Sequence, residues 1–252
     1  MFVLTDLLPR ENRGTPQPQV APPGSATPSW YASAKLAFEF FLAFVLLIFT
    51  APLILLAMIL VRLSSSGPAI YSQTRLGRNG KPFTIYKLRT MRHDCESLTG
   101  AQWSKPGDRR VTWVGRWLRK THIDELPQLW NVLRGDMGLI GPRPERPEFL
   151  PQLAQAIPLY RQRLQVRPGI TGFAQLQLPP DTDLDSVRIK LAYDLHYLRN
   201  LGLPFDLWIY LGTFFKLIGL RYEAIRPLCR FPKREAIERE YQKISDAASP
   251  PP

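Results

Sequence analysis

Asp124 and Glu125 are adjacent carboxylates, preceded by Arg119 and Lys120 and followed by the helix-prone run LPQLWNVL. Acids at a helix start are favoured by the macrodipole. Thr121, with Asp124 three residues on, also has the form of a capping pair. Spacing alone leaves two readings open, local helix chemistry and a functional pair. A second set of residues could meet phosphate: residues 71–93 carry Arg75, Arg78, Lys81, Lys87, Arg89 and Arg92, and no acid. Such a stretch can grip anionic headgroups or contact a diphosphate, and both roles are expected in part. His93, His122 and His196 form no HExxH or other ligand pattern, so surface or hydrogen-bonded histidine is the better reading. Cys95 and Cys229 lie far apart, with neither a disulfide framework nor zinc spacing, which fits a reducing compartment.

The elements that must position these groups start with a membrane segment. Residues 36–61 hold one charge, Glu39, and residues 40–61 hold none. A helix over that uncharged stretch would be roughly 33 Å long, against about 30 Å of bilayer hydrocarbon. Pro52 interrupts it, removing one helical hydrogen bond at a cost of about 3 kcal/mol. A kinked span tolerates this if Thr50 or a water covers the freed carbonyl. A re-entrant helix–break–helix at Pro52, with both ends on one face, is the other solution. Arg62, Arg75, Arg78 and Lys81 place the downstream part in the cytoplasm by the positive-inside rule.

Beyond the membrane segment, residues 69–73 and 82–88 alternate β-branched and aromatic residues around Gly77-Arg78-Asn79-Gly80, a hairpin signal. Residues 112–134 read as helix in pieces. Gly141-Pro142-Arg143-Pro144 and Arg167-Pro168-Gly169-Ile170-Thr171-Gly172 read as stiff loops. A helix is expected over 183–200 with Leu184, Val187, Leu191 and Leu195 inward, and an interfacial helix over 203–220. Asp194 and Tyr197 read as packing or polar structural contacts. The proline-rich residues 1–30 read as a flexible leader. Length, 252 residues, suits one compact domain plus a membrane element. The net charge of +12 favours nucleic acid, anionic lipid or phosphorylated substrates as partners.

The run LRKTHIDELPQLWNVL, with KLRTM at 87–91, NVLRGDMGLIGPRP at 131–144 and VRPGITGFAQL at 166–176, resembles the bacterial sugar transferase family. These are the monotopic polyprenyl-phosphate phosphoglycosyl transferases, and the resemblance runs in order from about Lys35 to Leu220. It implies an α+β, mainly helical fold, with a membrane helix at 31–63, a cytoplasmic transferase domain at 64–221 and a charged tail at 222–252. It implies transfer of a sugar-1-phosphate from a UDP-sugar to polyprenyl phosphate at the bacterial inner membrane, on the cytoplasmic face, with no nucleic-acid partner. Asp124 matches the family's nucleophile and Glu125 the residue that holds Mg²⁺. Arg119 and Arg143 match phosphate- and nucleotide-binding positions, and Lys87 and Arg89 match further basic positions. Four positions depart from the pattern. His122 and Gly138 stand where serine is common, Ala51 precedes Pro52 where serine is common, and Glu39 stands where aspartate is usual.

Two competing readings have less support. A basic membrane-anchored protein binding anionic lipid or nucleic acid leaves the carboxylate pair beside GPRP unexplained. A phosphotransferase with a soluble acceptor lacks any P-loop or kinase-type glycine loop.

Overall fold

The computed structural model describes residues 29–93, 95 and 107–248, so the expected leader lies almost wholly outside the described residues. The chain is mainly helical, as expected, and carries a second small sheet besides the expected hairpin. Helix α1 runs Ser29–Ser64 with Pro52 inside it, rather than breaking there. At 1.5 Å per residue it is roughly 54 Å long. Thr50 Oγ1 donates to Leu46 O at 2.7 Å, so it does not cover the Ile48 carbonyl that proline leaves without its helical donor. Among the described residues α1 is the one helix long and apolar enough to cross a membrane.

Both flanks of α1 pack on the same globular body. Ala43 is buried against Ile85, Leu129, Val132 and Met137. Ala57 and Val61 are buried against Ala69, Leu88, Val114 and Leu118. No residue from 44 to 56 is buried, and Phe49 is 79% exposed. An apolar stretch held out between two docked ends is a surface that water does not suit.

The hairpin forms as the Asn-Gly signal requires. Strands β1 Ile70–Leu76 and β2 Pro82–Leu88 pair antiparallel, Ile70 opposite Leu88 and Leu76 opposite Pro82. Asn79 and Gly80 take φ of 58° and 73°, the left-handed region these residues tolerate best. Helix α2 covers Trp113–Thr121 and α3 Gln128–Leu133.

The two expected loops are in fact zipped together. Just before the first of them, β3 Gly138–Ile140 runs parallel to β4 Gly169–Thr171, which lies within the second. Gly141 N donates to Thr171 O at 3.0 Å and Gly169 N to Pro142 O at 3.0 Å. A Cβ on Gly169 would sit 2.1 Å from Gly141 N, so only glycine lets the backbones approach this closely.

Helices α4 Leu150–Ala156, α5 Phe173–Gln177, α6 Leu184–Arg199 and α7 Leu203–Leu217 build the main core. Helix α6 starts at Asp183, which accepts from Ser186 N in a capping box, and buries Val187, Leu191 and Leu195 as expected. Helices α8 Tyr222–Leu228 and α9 Arg234–Ala248 return to this core through Ile225, Phe231, Ile237 and Tyr241. Residues 222–248 are therefore part of the main body, not a tail apart from it.

A buried polar knot ties α1 to that body. Lys35 Nζ lies 2.7 Å from Glu39 Oε1 and 2.6 Å from Asp206 Oδ2. Tyr31 and Tyr197 donate to Asp206, Tyr210 donates to Glu39, and Ile140 N donates to Glu39 Oε1 at 3.1 Å. Glu39 is 1% exposed, and its other oxygen fills the space over Gly138: a Cβ there would lie 2.6 Å from Glu39 Oε2. The longer acid and the missing side chain thus compensate each other. Gly138→Ala is expected to destabilise by about 1–3 kcal/mol through overpacking. Adding Glu39→Asp, one methylene shorter, should recover part of that loss in thermal unfolding. A double variant no more stable than Gly138→Ala would show the two positions are not coupled.

Candidate active site

The carboxylate pair owes its position to a chain reversal. Thr112 caps α2 by accepting from Gly115 N at 2.9 Å, and Gly115 lets α2 lie against the Thr90 backbone. The helix ends at His122, whose φ of 57° is left-handed. A 3-10 turn, Ile123–Glu125, follows and leads through Pro127 into α3. The pair therefore sits in the tight turn between two helices, not in the first turn of an α-helix. Thr121 Oγ1 donates back to Trp117 O and Leu118 O, so the expected capping pair with Asp124 does not form. His122 makes no side-chain cap, and its ring is exposed.

Asn131, fully buried, fixes α3 to the hairpin. Its Nδ2 donates to Thr84 O at 2.7 Å and its Oδ1 accepts from Tyr86 N at 3.1 Å. This brings Lys87 from β2 to the turn. Glu125 Oε1 accepts from Lys87 Nζ at 2.9 Å and from Arg143 Nη2 at 2.8 Å. Asp124, 8% exposed, lies beside them. Burial, and next the Glu125 charge, push its carboxyl above the usual range, while Lys87, Arg119 and Arg143 pull the other way. For Glu125 burial also favours the neutral form, but the Arg143 and Lys87 charges and hydrogen bonds outweigh it and hold the group ionised. Such a buried cluster adds little net stability; what it fixes is geometry.

Arg143 is held from behind. Arg163 Nη2 donates to Arg143 O at 2.9 Å, Arg75 Nη1 to Pro144 O at 3.0 Å, and Leu76 N to Glu145 O at 2.9 Å. Arg163 is itself buried, bonded to Asp194 Oδ2 through Nε and Nη2 at 2.9 and 2.8 Å and to the Tyr160 hydroxyl at 3.0 Å. Asp194 is thus a structural contact, as expected. The Arg143 guanidinium stays partly open to solvent, with its side chain 40% exposed. A planar guanidinium on a fixed stem is suited to bidentate phosphate binding.

Of the expected site residues, Asp124, Glu125, Lys87 and Arg143 come together directly. Arg119, whose Nε donates to Thr90 Oγ1 at 2.9 Å, joins them through its charge interaction with Asp124. Arg89 does not join. Its guanidinium donates to Ser65 O and Ser66 O at 2.7 and 2.5 Å, closing the end of α1, so it is a structural residue here. Pro52 lies in the exposed stretch of α1. Sequence reasoning missed Asn131, Arg163 and Lys216. Lys216 donates from α7 to Gln175 O at 2.7 Å and lies within charge reach of Glu125 and Arg143.

The donor set suits magnesium. Mg²⁺ takes hard oxygens, needs only one or two protein carboxylates, and completes its shell with waters and substrate phosphates. Asp124 and Glu125 supply such oxygens. Among the described residues no group of three or more His, Cys, Asp or Glu could form an all-protein metal cage.

A family model described as bacterial sugar transferase matches residues 30–219. A UDP-N-acetylgalactosamine-undecaprenyl-phosphate N-acetylgalactosaminephosphotransferase of Aeromonas hydrophila is 43% identical over 196 residues, 77% of this chain and 45% of that protein. A UDP-glucose:undecaprenyl-phosphate glucose-1-phosphate transferase of Caulobacter vibrioides is 48% identical over 167 residues, 65% of this chain and 61% of that protein. The exopolysaccharide production protein PSS of Rhizobium leguminosarum bv. phaseoli is 39% identical over 184 residues, 71% of this chain and 92% of that protein. The chain therefore spans less than half of the Aeromonas protein and most of the Rhizobium one. The matched span contains α1, the carboxylate turn and the zipped loops that carry Arg143, and the chain belongs to the bacterial sugar transferase family.

Proposed function

We propose that the protein transfers a sugar-1-phosphate from a UDP-sugar to polyprenyl phosphate, with Asp124 as nucleophile. The observation that carries this reading is the clamp of Lys87 and Arg143 on Glu125, immediately beside the buried Asp124. A carboxylate is repelled by a diphosphate, so attack needs cations already in place. An Asp124 oxygen attacks the β-phosphorus, the bond to the bridging oxygen breaks, and UMP leaves. The polyprenyl phosphate oxygen then attacks the same phosphorus. The aspartyl–phosphorus bond breaks, releasing polyprenyl-diphosphate sugar and restoring the carboxylate. Both nucleophiles are anionic oxygens, so neither step needs a general base. Arg143, Lys87 and Arg119 neutralise and orient the phosphates. Glu125, with Asp124 beside it, would hold Mg²⁺, which when bound offsets the negative charge of the diphosphate.

The membrane geometry follows the same reading. Both ends of α1 rest on the body that carries the reaction centre, which favours a helix that bends at Pro52 without ending there, and so dips into one leaflet and returns. We place that body on the cytoplasmic face of the bacterial inner membrane, where UDP-sugars are found.

The test is UMP release by the full chain in detergent with polyprenyl phosphate, using UDP-glucose, UDP-N-acetylgalactosamine and related donors. At least one donor should release UMP only when polyprenyl phosphate and Mg²⁺ are both present, and EDTA should stop it. Release that continues at the full rate in excess EDTA would count against the metal. Failure of every donor would count against the reaction.

A further inference from the structure

Most of the hairpin's basic residues are committed to protein partners: Arg75 to Pro144 O, Arg78 to Gln165 O, Lys87 to Glu125 and Arg89 to Ser65 and Ser66. The hairpin is therefore a poor headgroup grip. A different basic surface takes shape where three separate segments meet. A recess of about 780 Å³ opens between the end of α1, at Ser64, Ser65 and Ser66, and the start of α2. Arg92, Arg109 and Arg116 line it. All three are exposed, and among the described residues no carboxylate pairs with them. Thr112 and Trp113, at the N-terminus of α2, form another wall, where the helix dipole also favours an anion.

The depth of this recess in a bilayer is set by its neighbours. The apolar run of α1 ends at its rim, with Leu63 exposed just before Ser64. Trp113 and Trp117 are 68% and 48% exposed on the outer face of α2, with Arg116 and Lys120 between and beside them. Exposed tryptophans interleaved with cations are at home at the headgroup level. Neither Asp124, Glu125, Lys87 nor Arg143 lines the recess. Arg119, bonded to Thr90 Oγ1, and the Thr112 N to Thr90 O bond lie at the junction between the recess wall and the reaction centre.

The geometry points to a second anion site: this recess takes the phosphate headgroup of an anionic glycerophospholipid from the surrounding bilayer. The occupant is a resident lipid and not the reacting acceptor, because the recess holds none of the residues that face Asp124. The site would anchor the α1–α2 corner, and with it the turn that carries Asp124, at a fixed height over the membrane. It rests on α1 lying in the bilayer and not on the transfer reaction.

The test uses the full chain in a neutral detergent with fluorescent short-chain phosphatidylglycerol as the probe. Each cation near an anionic lipid contributes about fivefold in affinity, so changing Arg92, Arg109 and Arg116 together to Gln should weaken binding about a hundredfold. Changing the same three to Lys should keep binding within about tenfold of wild type. Thermal unfolding of both triple variants should match wild type, since none of the three side chains makes a bond among the described residues. UMP release in detergent should stay within about twofold, which separates this site from the reaction. Wild-type affinity in the Gln variant would overturn the assignment. So would displacement of the lipid by inorganic phosphate at equal concentration, which would mark a free-anion site. A fall in UMP release in step with lost lipid would mark the recess as part of the acceptor site and overturn it too.

Discussion

Asp124→Asn is expected to reduce UMP release by about 10⁴-fold or more, the scale seen when a covalent nucleophile is removed. Asparagine keeps the shape of the side chain but loses the charge and the attacking oxygen. Its fold should survive. Asp124 is buried beside a second carboxylate, so its ionised form pays for both desolvation and like-charge repulsion. A neutral isostere escapes both, and the variant should unfold at the wild-type temperature or slightly above. Wild-type protein mixed with labelled UDP-sugar and Mg²⁺, without acceptor, should gain the mass of one phosphosugar. Asp124→Asn should gain none. Undiminished turnover in the variant would remove Asp124 as nucleophile. Full loss of turnover with the mass gain intact would place the covalent bond on another residue.

The parts of this architecture that were legible in sequence are those with local causes. Asn79-Gly80 can reverse a strand, and the hairpin forms around it. Asp183 and Ser186 cap a helix whose apolar residues recur at helical spacing, and α6 forms there. The basic residues were less legible, because sequence shows that a residue is charged and not what it meets. Lys87 and Arg89 lie two apart, yet one reaches Glu125 and the other closes the end of α1. Only the docking of α1 on the body separates those fates. Strands β3 and β4 are three residues each and glycine-rich, with no alternating pattern to read, and their pairing depends on backbone contact across some thirty residues. The closing helices were legible in principle. Ile237 and Tyr241 stand four apart on one face of α9, and both enter the main core, but the surrounding charge obscured the stripe. The support for Arg143 had no local signal, since Glu145, Arg163 and the α6 pair Lys190 and Asp194 come from segments far apart in the chain.

That support is where the largest loss of stability is expected. Arg163→Met strands Asp194, 2% exposed, without its two guanidinium bonds, and takes from Glu145 the Arg163 charge at 3.7 Å, leaving it Lys190 at 3.9 Å and its hydrogen bonds from Arg146 N and the Tyr160 hydroxyl. Removing one partner of a buried ion pair costs about 3–5 kcal/mol, a large share of the 5–15 kcal/mol that keeps a typical domain folded. Replacing both partners, as Arg163→Met with Asp194→Leu, should return most of that stability, because apolar groups of similar volume can fill a site whose charges are gone. The double variant separates holding the fold from holding Arg143. It still lacks the donor to the Arg143 carbonyl, so the guanidinium loses its fixed stem although the chain is folded. Small misplacements of a positioning group cost up to about 10²-fold in rate. The double variant should therefore unfold close to the wild-type temperature yet turn over about 10–100 times more slowly. Its KM for the UDP-sugar should rise, and its phosphosugar adduct should form slowly but to full extent. Recovery of wild-type kcat and KM together with stability would mean that Arg163 serves the core alone, and that the loops zipped by β3 and β4 are enough to aim Arg143.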